Sequence, residues 1–329
     1  TREKLKVDST RAYHGPDAYK ELAGSKLDAV AIETPTYFHP MQAAAAVDAG
    51  KHVFCAKPIA VDVPTSKEFL DSGNRAKQKN LSFWVDFQSR ARPVFQEVAA
   101  RVQRGDIGKV AFAQVLYYAG RPWRDRSRPG MDSGQKRILN WFGDRVLSGD
   151  IIVEQNIHVI DMANWYLDSH PLKANGTGGR TDWSGTPNDT GDAWDHFAVT
   201  FWYPNEVHAS FSSHQLTNSL ADLCVRCFGV HGCADTHYGG LVRIVTERGG
   251  KAWVGAEKDD TFKGGCVTNI QQFVESIRSG KPINNAAEAV ESNLTGILGR
   301  MAAYQQRTVS WDEMMKSTER WEADLELKW

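Results

Sequence analysis

The chain has 329 residues, with 39 Lys plus Arg against 40 Asp plus Glu, so its formal net charge is 39 − 40 = −1. That balance excludes the broad basic surface which nucleic acid or an anionic membrane would require, and no run approaches the ~20 apolar residues of a membrane span. A content of 41% hydrophobic and 24% charged residues fits a globular protein of about two domains, while five scattered cysteines do not make a disulfide framework.

The first third alternates short apolar runs with helical patterns. Ala29 to Ile32 reads as a buried strand ended by Thr34-Pro35, and the alanine-rich stretch Pro40 to Ala49 as a helix closed by Gly50. His52 to Cys55 is a second strand stopped by Pro58, Pro64 to Lys79 a second helix with Thr65 or Ser66 near its start, and Ser82 to Val85 a third strand. This alternation predicts crossover units and a parallel sheet. Beyond Pro93 the pattern changes: a helix to Arg104, a strand from Val110 to Tyr118, an Arg/Gly-rich loop over 120–135, and a helix from Ile151 to Tyr166. Phe197 to Phe201 and Val207 to Ser213 flank Pro204-Asn205-Glu206 as a hairpin. Leu223 to Phe228, Leu241 to Val245 and Ala252 to Val254 continue a meander, and helices follow over 269–279, 288–304 and 311–316. The fold class expected is α/β: a partial Rossmann-like parallel-sheet domain over 1–90, then an α+β domain over 91–329 with a large, mostly antiparallel sheet.

Ligands of a doubly wound sheet gather at the carboxyl ends of its strands. Thr34-Pro35 and Ala56-Lys57-Pro58 fall at two such ends. A lysine chosen at random is a solvated surface charge, but Lys57 follows a buried strand and precedes a proline. Glu154 and His158 stand four apart on the predicted helix and would share one face. The plain alternative is a buried histidine paired with its neighbour. The eleven tryptophans serve either a core or the faces of sugar rings.

These residues carry a resemblance. Thr34-Pro35, His39 and the run Ala49 to Pro58 (AGKHVFCAKP) resemble the glucose–fructose oxidoreductase / inositol dehydrogenase / MocA family, and the stretches from Ser148 to His158 and Gly280 to Tyr304 are similar to a subgroup that is often exported. The resemblance implies a nicotinamide-dependent oxidoreductase, using NAD or NADP, that acts on a hydroxyl or carbonyl of a sugar, sugar derivative or cyclic polyol. It implies Lys57 and His158 as catalytic residues, with Glu154 orienting the imidazole or holding an adjacent hydroxyl. Thr34, Pro35, His39, Lys57 and Gln88 would face the cofactor; Tyr118, Arg121, Trp123, Arg124, Asn156 and His196 would face a carbohydrate-like substrate. A homodimer or homotetramer through the second sheet is the implied assembly, with neither nucleic acid nor membrane as partner. The exported subgroup points to the periplasm, with the cytoplasm as the other compartment. Two alternatives stay open: a redox glycosidase with bound NAD, and a non-catalytic sugar-sensing or partner-binding relative.

The family's G-x-G-x-x-G turn, expected ahead of the first strand, does not occur in the sequence; Gly176 to Gly179 and Gly229 to Gly232 read as turns. Ala56 replaces the family's glutamate before the lysine, and Glu154 replaces its aspartate. Cys224, Cys227, Cys233 and His237 superficially suggest zinc. Residues three apart on a strand point to opposite faces, so no metal site is expected from this set.

Overall fold

The structure, a computed structural model, describes residues 8–122, 125–183, 190–246, 252–255 and 261–325. Strands β1 (Ala29–Ile32), β2 (His52–Ala56) and β3 (Phe83–Asp86) form a parallel sheet in the order β1-β2-β3. The helices His39–Asp48 and Val63–Gln78 make the crossovers. Pro40 and Pro64 stand in the first turns, where a missing N–H costs nothing. The second helix is capped by Asp62, whose side chain accepts from Thr65 N at 2.8 Å. Gly50, at φ +74°, ends the first.

The register pairs Ile32 with Cys55 and Ala56 with Asp86, so the carboxyl ends of all three strands align in one row. Val53, Cys55, Phe83 and Val85 are fully buried in the core.

The second sheet is built from β4 (Val110–Ala119), β5 (Lys173–Gly179), β6 (His196–Trp202), β7 (His208–Gln215), β8 (Asp222–Gly229), β9 (Gly232–His237), β10 (Val242–Val245), β11 (Trp253–Val254) and β12 (Val309–Ser310). Among the described residues its order is β11-β10-β9-β8-β4-β7-β6-β5-β12, antiparallel throughout except where β4 meets β7. A parallel Rossmann-like sheet followed by a large, mostly antiparallel one is the architecture expected.

Two local expectations are overturned. Gly176 to Gly179 is not a turn but the end of β5, paired with β6 from Gly176↔Val199 to Gly179↔His196. A Cβ on Gly178 would strike the His196 carbonyl and the Trp194 ring, so the bare backbone serves close strand approach. The predicted helix 151–166 is two pieces, Ile151–Glu154 and Ile157–Leu167. The Ile151 carbonyl accepts from both Gln155 N (3.0 Å) and Asn156 N (2.9 Å), which inserts a residue into the turn and ends the first piece. Glu154 and His158 therefore do not share one continuous helical face.

The chain returns to the first sheet near its end. Phe83 N donates to Ile283 O at 2.8 Å, and the Asn285 amide bonds both the N–H and the C=O of Val85. The helix Ala286–Gln305, buried along most of its length, then packs against both halves; Asn293 donates to Ala60 O, and Arg300 bridges Gly149 O and Val61 O.

Candidate active site

Lys57 follows β2 at the strand-end row, joined to Pro58 by a cis peptide. Its ammonium donates to the main-chain oxygen of Glu154 at 2.6 Å and to the Glu154 carboxylate at 3.2 Å. The lysine side chain is 14% exposed and the glutamate 6%. A pair this sheltered is screened little by solvent.

His158 is the second residue of the helix Ile157–Leu167 and is buried. Burial pushes its pKa well below the ordinary 6.5, and the Lys57 charge pushes in the same direction. The imidazole is thus neutral at pH 7 and within electrostatic reach of Lys57.

The inserted turn between them exposes an unusual set of polar atoms. Asn156 is fully buried, yet neither end of its amide has a hydrogen-bond partner among the described residues, and Glu154 Oε2 is also buried without one. Buried orphans of this kind are costly unless something polar arrives to meet them.

Two residues that sequence reasoning missed complete the surroundings. Tyr117, on β4, donates to Gln155 Oε1 at 2.6 Å; burial and then the Glu154 charge raise its pKa, so it stays protonated. The ring of Tyr238 lies 6.0 Å from that of His158, and its hydroxyl bonds Ser89. Alternation along β4 marks Tyr117, since Ala113, Val115 and Tyr117 are the buried set. Tyr238 falls just past a short polar strand and carries no comparable signal.

Tyr118 is on the other side of the sheet. It stacks on His214 at 4.5 Å and bonds Ser212, both on the face turned away from Tyr117. His196 is paired in register with His214 and shares that outer face, held by Asp195 at 2.6 Å. Neither residue is placed beside Glu154, because strand neighbours alternate sides. Arg121 lays its guanidinium over Trp183 at 4.8 Å and donates to Thr190. Trp123 and Arg124 lie outside the described residues.

The residues expected to face a cofactor divide in two. Thr34 and Pro35 follow β1, and Gln88 opens the turn after β3, all on the strand-end row with Lys57. Gly265 backs Gln88 so closely that a Cβ there would meet the Gln88 carbonyl. His39, by contrast, is interior: its Nδ1 lies 2.7 Å from Pro58 O and its Nε2 2.7 Å from Thr34 O. Its ring ties the two strand-end turns together and spends both nitrogens on the backbone. A neutral ring donates to only one of these carbonyls and a protonated ring to both, yet burial outweighs that gain and pushes the pKa down to about 4.

Glu33, just after β1, extends the row beside Ala56, and Asp86 flanks Ala56 from β3. Burial raises the Glu33 pKa, Asp86 raises it further, and Lys57 opposes both. Two carboxylates, from the ends of the two strands that flank β2, thus stand beside the position where the family pattern has its glutamate. Cys224 and Cys227 fall on opposite faces of β8, as strand geometry requires.

Comparison with known proteins agrees with this arrangement. Residues 2–87 match the oxidoreductase family with an NAD-binding Rossmann fold, and residues 95–235 match the GFO/IDH/MocA C-terminal domain. The chain is 24% identical over 289 residues to the scyllo-inositol 2-dehydrogenase (NAD(+)) of Bacillus subtilis, covering 85% of this chain and 77% of that protein. It is 28% identical over 145 residues to the myo-inositol dehydrogenase Hyg17 of Streptomyces leeuwenhoekii, where the match covers 44% of this chain but only 38% of that protein. In fold it is similar to the scyllo-inositol dehydrogenase of Lactobacillus casei solved with bound NAD(H) and scyllo-inositol, at a TM-score of 0.67 and 19% identity over 89% of this chain and 83% of that one. The parallel strand-end row, the second sheet and these matches together place the chain in the Gfo/Idh/MocA family of oxidoreductases, whose N-terminal part is an NAD-binding Rossmann domain.

Proposed function

We propose that the protein oxidises a hydroxyl, or reduces the matching carbonyl, on a sugar, sugar derivative or cyclic polyol, with NAD or NADP as the redox partner. The observation that carries the reading is the Lys57–Glu154 pair at the strand-end row, with the Lys57 charge acting on a buried neutral His158.

The residues present suit the nicotinamide end of a dinucleotide at that row, the glycine turn that would hold its phosphates not being among them: Thr34, Lys57 and Gln88 line one edge, and the orphaned polar atoms of Glu154 and Asn156 suit a hydroxylated ligand beside it. When bound, the nicotinamide accepts or returns the hydride. The chain itself handles the proton. His158 takes the substrate hydroxyl proton on its neutral ring, and returns it in the reverse direction. The Lys57 side chain faces the developing alkoxide with its positive charge. At about 4 Å and an effective dielectric near 20 that attraction is roughly 4 kcal/mol. It lowers the alcohol's acidity barrier by about three powers of ten, which brings it within reach of an imidazole. Glu154 fixes the ammonium through its backbone and one carboxylate oxygen, leaving Oε2 for a neighbouring hydroxyl. The outer face of the second sheet, with Phe112 stacked on Phe228 and Tyr118 on His214, supports the further proposal of a homodimer or homotetramer through that face.

The test is a panel of inositols and aldoses with NAD or NADP, read as reduced-cofactor absorbance, for the wild type, Lys57→Met and His158→Asn. Turnover in the wild type with at least a 1,000-fold loss in Lys57→Met is expected, following the ~4 kcal/mol above. Aglycone release from glycosides without accumulating reduced cofactor would move the reading to a redox glycosidase. Ligand binding unaffected by both substitutions, with no turnover to lose, would overturn it.

A further inference from the structure

Cys224, set aside as half of a Cys-x-x-Cys pair, has different company across the sheet. It stands directly opposite His237 in the β8–β9 register, and Asp222 is two residues earlier on the same face. One ligand atom from each of the three lies within 4.8 Å of the others. We propose that Asp222, Cys224 and His237 form a binding site for a borderline divalent cation of the zinc type, with water in the fourth position.

The donor set is mixed oxygen, sulfur and nitrogen, the chemistry that zinc accepts in a tetrahedron. All three donors rise from two hydrogen-bonded strands, so their spacing is held by backbone register. Bonds of about 2.0 Å to oxygen and nitrogen and about 2.3 Å to sulfur put tetrahedral ligand atoms roughly 3.3–3.6 Å apart, inside the observed spread. His237 Nδ1 now lies 2.7 Å from Asp222 Oδ1, so the two side chains part by about half an ångström to admit the ion. Asp222 and His237 are partly exposed and Cys224 is buried, which leaves an entry from solvent in the single chain; all three stand on the outer face that carries Tyr118, so an assembly through that face would enclose the site.

An acceptor for the second ring nitrogen is already in place. With the cation on Nδ1, the ring proton moves to Nε2, and Asp235 Oδ1 waits 3.1 Å from that nitrogen as its acceptor. This is the carboxylate–imidazole–metal relay that fixes ring orientation. The nearby guanidinium charges are taken up by the same Asp235: Arg226 Nε reaches it at 2.7 Å and Arg243 Nε at 3.1 Å. Arg226 Nη2 also lies 3.1 Å from His237 Nε2 and 3.9 Å from Asp222 Oδ2, so this guanidinium gives up its contact with the ring when Nε2 takes the proton. Binding releases the thiol proton to solvent, while the proton that His237 shares with Asp222 stays on the ring at Nε2.

The experiment is a cobalt(II) titration of the metal-stripped full chain, followed by zinc competition. One equivalent is expected, with a thiolate-to-cobalt charge-transfer band and tetrahedral d–d absorption, both bleached by zinc. The thiolate band is lost in Cys224→Ser and kept in Cys233→Ser and Cys266→Ser. Asp235→Asn keeps the band and weakens affinity by about 10- to 100-fold. If Cys224→Ser does not fold, His237→Gln, on the partly exposed side, serves in its place and loses the one-equivalent step. No thiolate band in the wild type, or a band unchanged in Cys224→Ser, overturns the proposal.

Discussion

The Lys57 ammonium is held by a residue 97 positions away in the chain: it lies 2.6 Å from the Glu154 main-chain oxygen and 3.2 Å from its carboxylate. The pair is therefore a tie between the two halves of the molecule as well as a reactive arrangement. Such ties are asymmetric, because removing one partner strands the other's charge in a poorly solvated place. Lys57→Met is expected to destabilise the protein by about 3 kcal/mol in urea unfolding. Adding Glu154→Gln to that variant should restore most of the loss, since a neutral amide needs no counter-charge. Additive losses in the double variant would show that the two side chains are not coupled.

His39 gives the fold a pH dependence with a definite sign. Its folded pKa is about 4 against 6.5 unfolded. Between these values the unfolded chain binds a proton that the folded chain refuses, so stability falls as pH drops from 6.5 towards 4 and is unaffected above. The full shift amounts to about 3 kcal/mol. His158, displaced in the same direction, adds to it, while Asp150, raised to about 6 by burial, works against it. The measurement is urea unfolding at pH 7 and pH 5 for the wild type and His39→Gln. The variant should be less stable at pH 7 yet lose less on acidification; equal slopes would remove His39 from the account.

Asn156 separates stability from ligand binding. Its amide is fully buried and, among the described residues, unmatched at both ends. Asn156→Leu keeps approximate volume and removes the desolvated groups, so a gain of about 1 kcal/mol in stability is expected. The same change should raise KM for a polyol at least tenfold while leaving folding cooperative. A loss of stability with KM unchanged would make Asn156 a structural residue.

How much of this was readable from residues alone follows from which signals survive folding. β1 to β3 and their crossover helices were legible because Pro40, Gly50, Pro58 and Pro64 punctuate clear apolar runs. β5 was not, since Gly176, Gly178 and Gly179 offer no side chains to alternate. The break at Gln155-Asn156 was hidden because the apolar pattern of Ile151, Ile152, Ile157 and Ile160 runs straight through it. At the candidate site the sequence points to Lys57, Glu154 and His158; in the structure Lys57 bonds Glu154 and its charge reaches His158. Their contact, however, is between Lys57 and Glu154, a pairing that helical spacing of 154 and 158 could not indicate. His39 was nominated to face a ligand, but its neighbours in sequence do not reveal that both ring nitrogens turn inward.

Tyr117 and Tyr118 provide the sharpest test of which side of the second sheet faces the chemistry. They are adjacent in β4 and point to opposite faces. Tyr117 donates to Gln155 Oε1, in the turn that follows Glu154, while Tyr118 bonds Ser212 on the outer face. Deleting the first hydroxyl leaves Gln155 Oε1 without its donor and loosens the turn that carries Glu154 and Asn156. A net hydrogen bond of about 1 kcal/mol corresponds to roughly a fivefold change in rate. Tyr117→Phe should therefore lower turnover about fivefold or more, and Tyr118→Phe should leave it unchanged. Assayed side by side with one cofactor and one polyol, the reverse order would place the reacting groups on the outer face, away from Lys57.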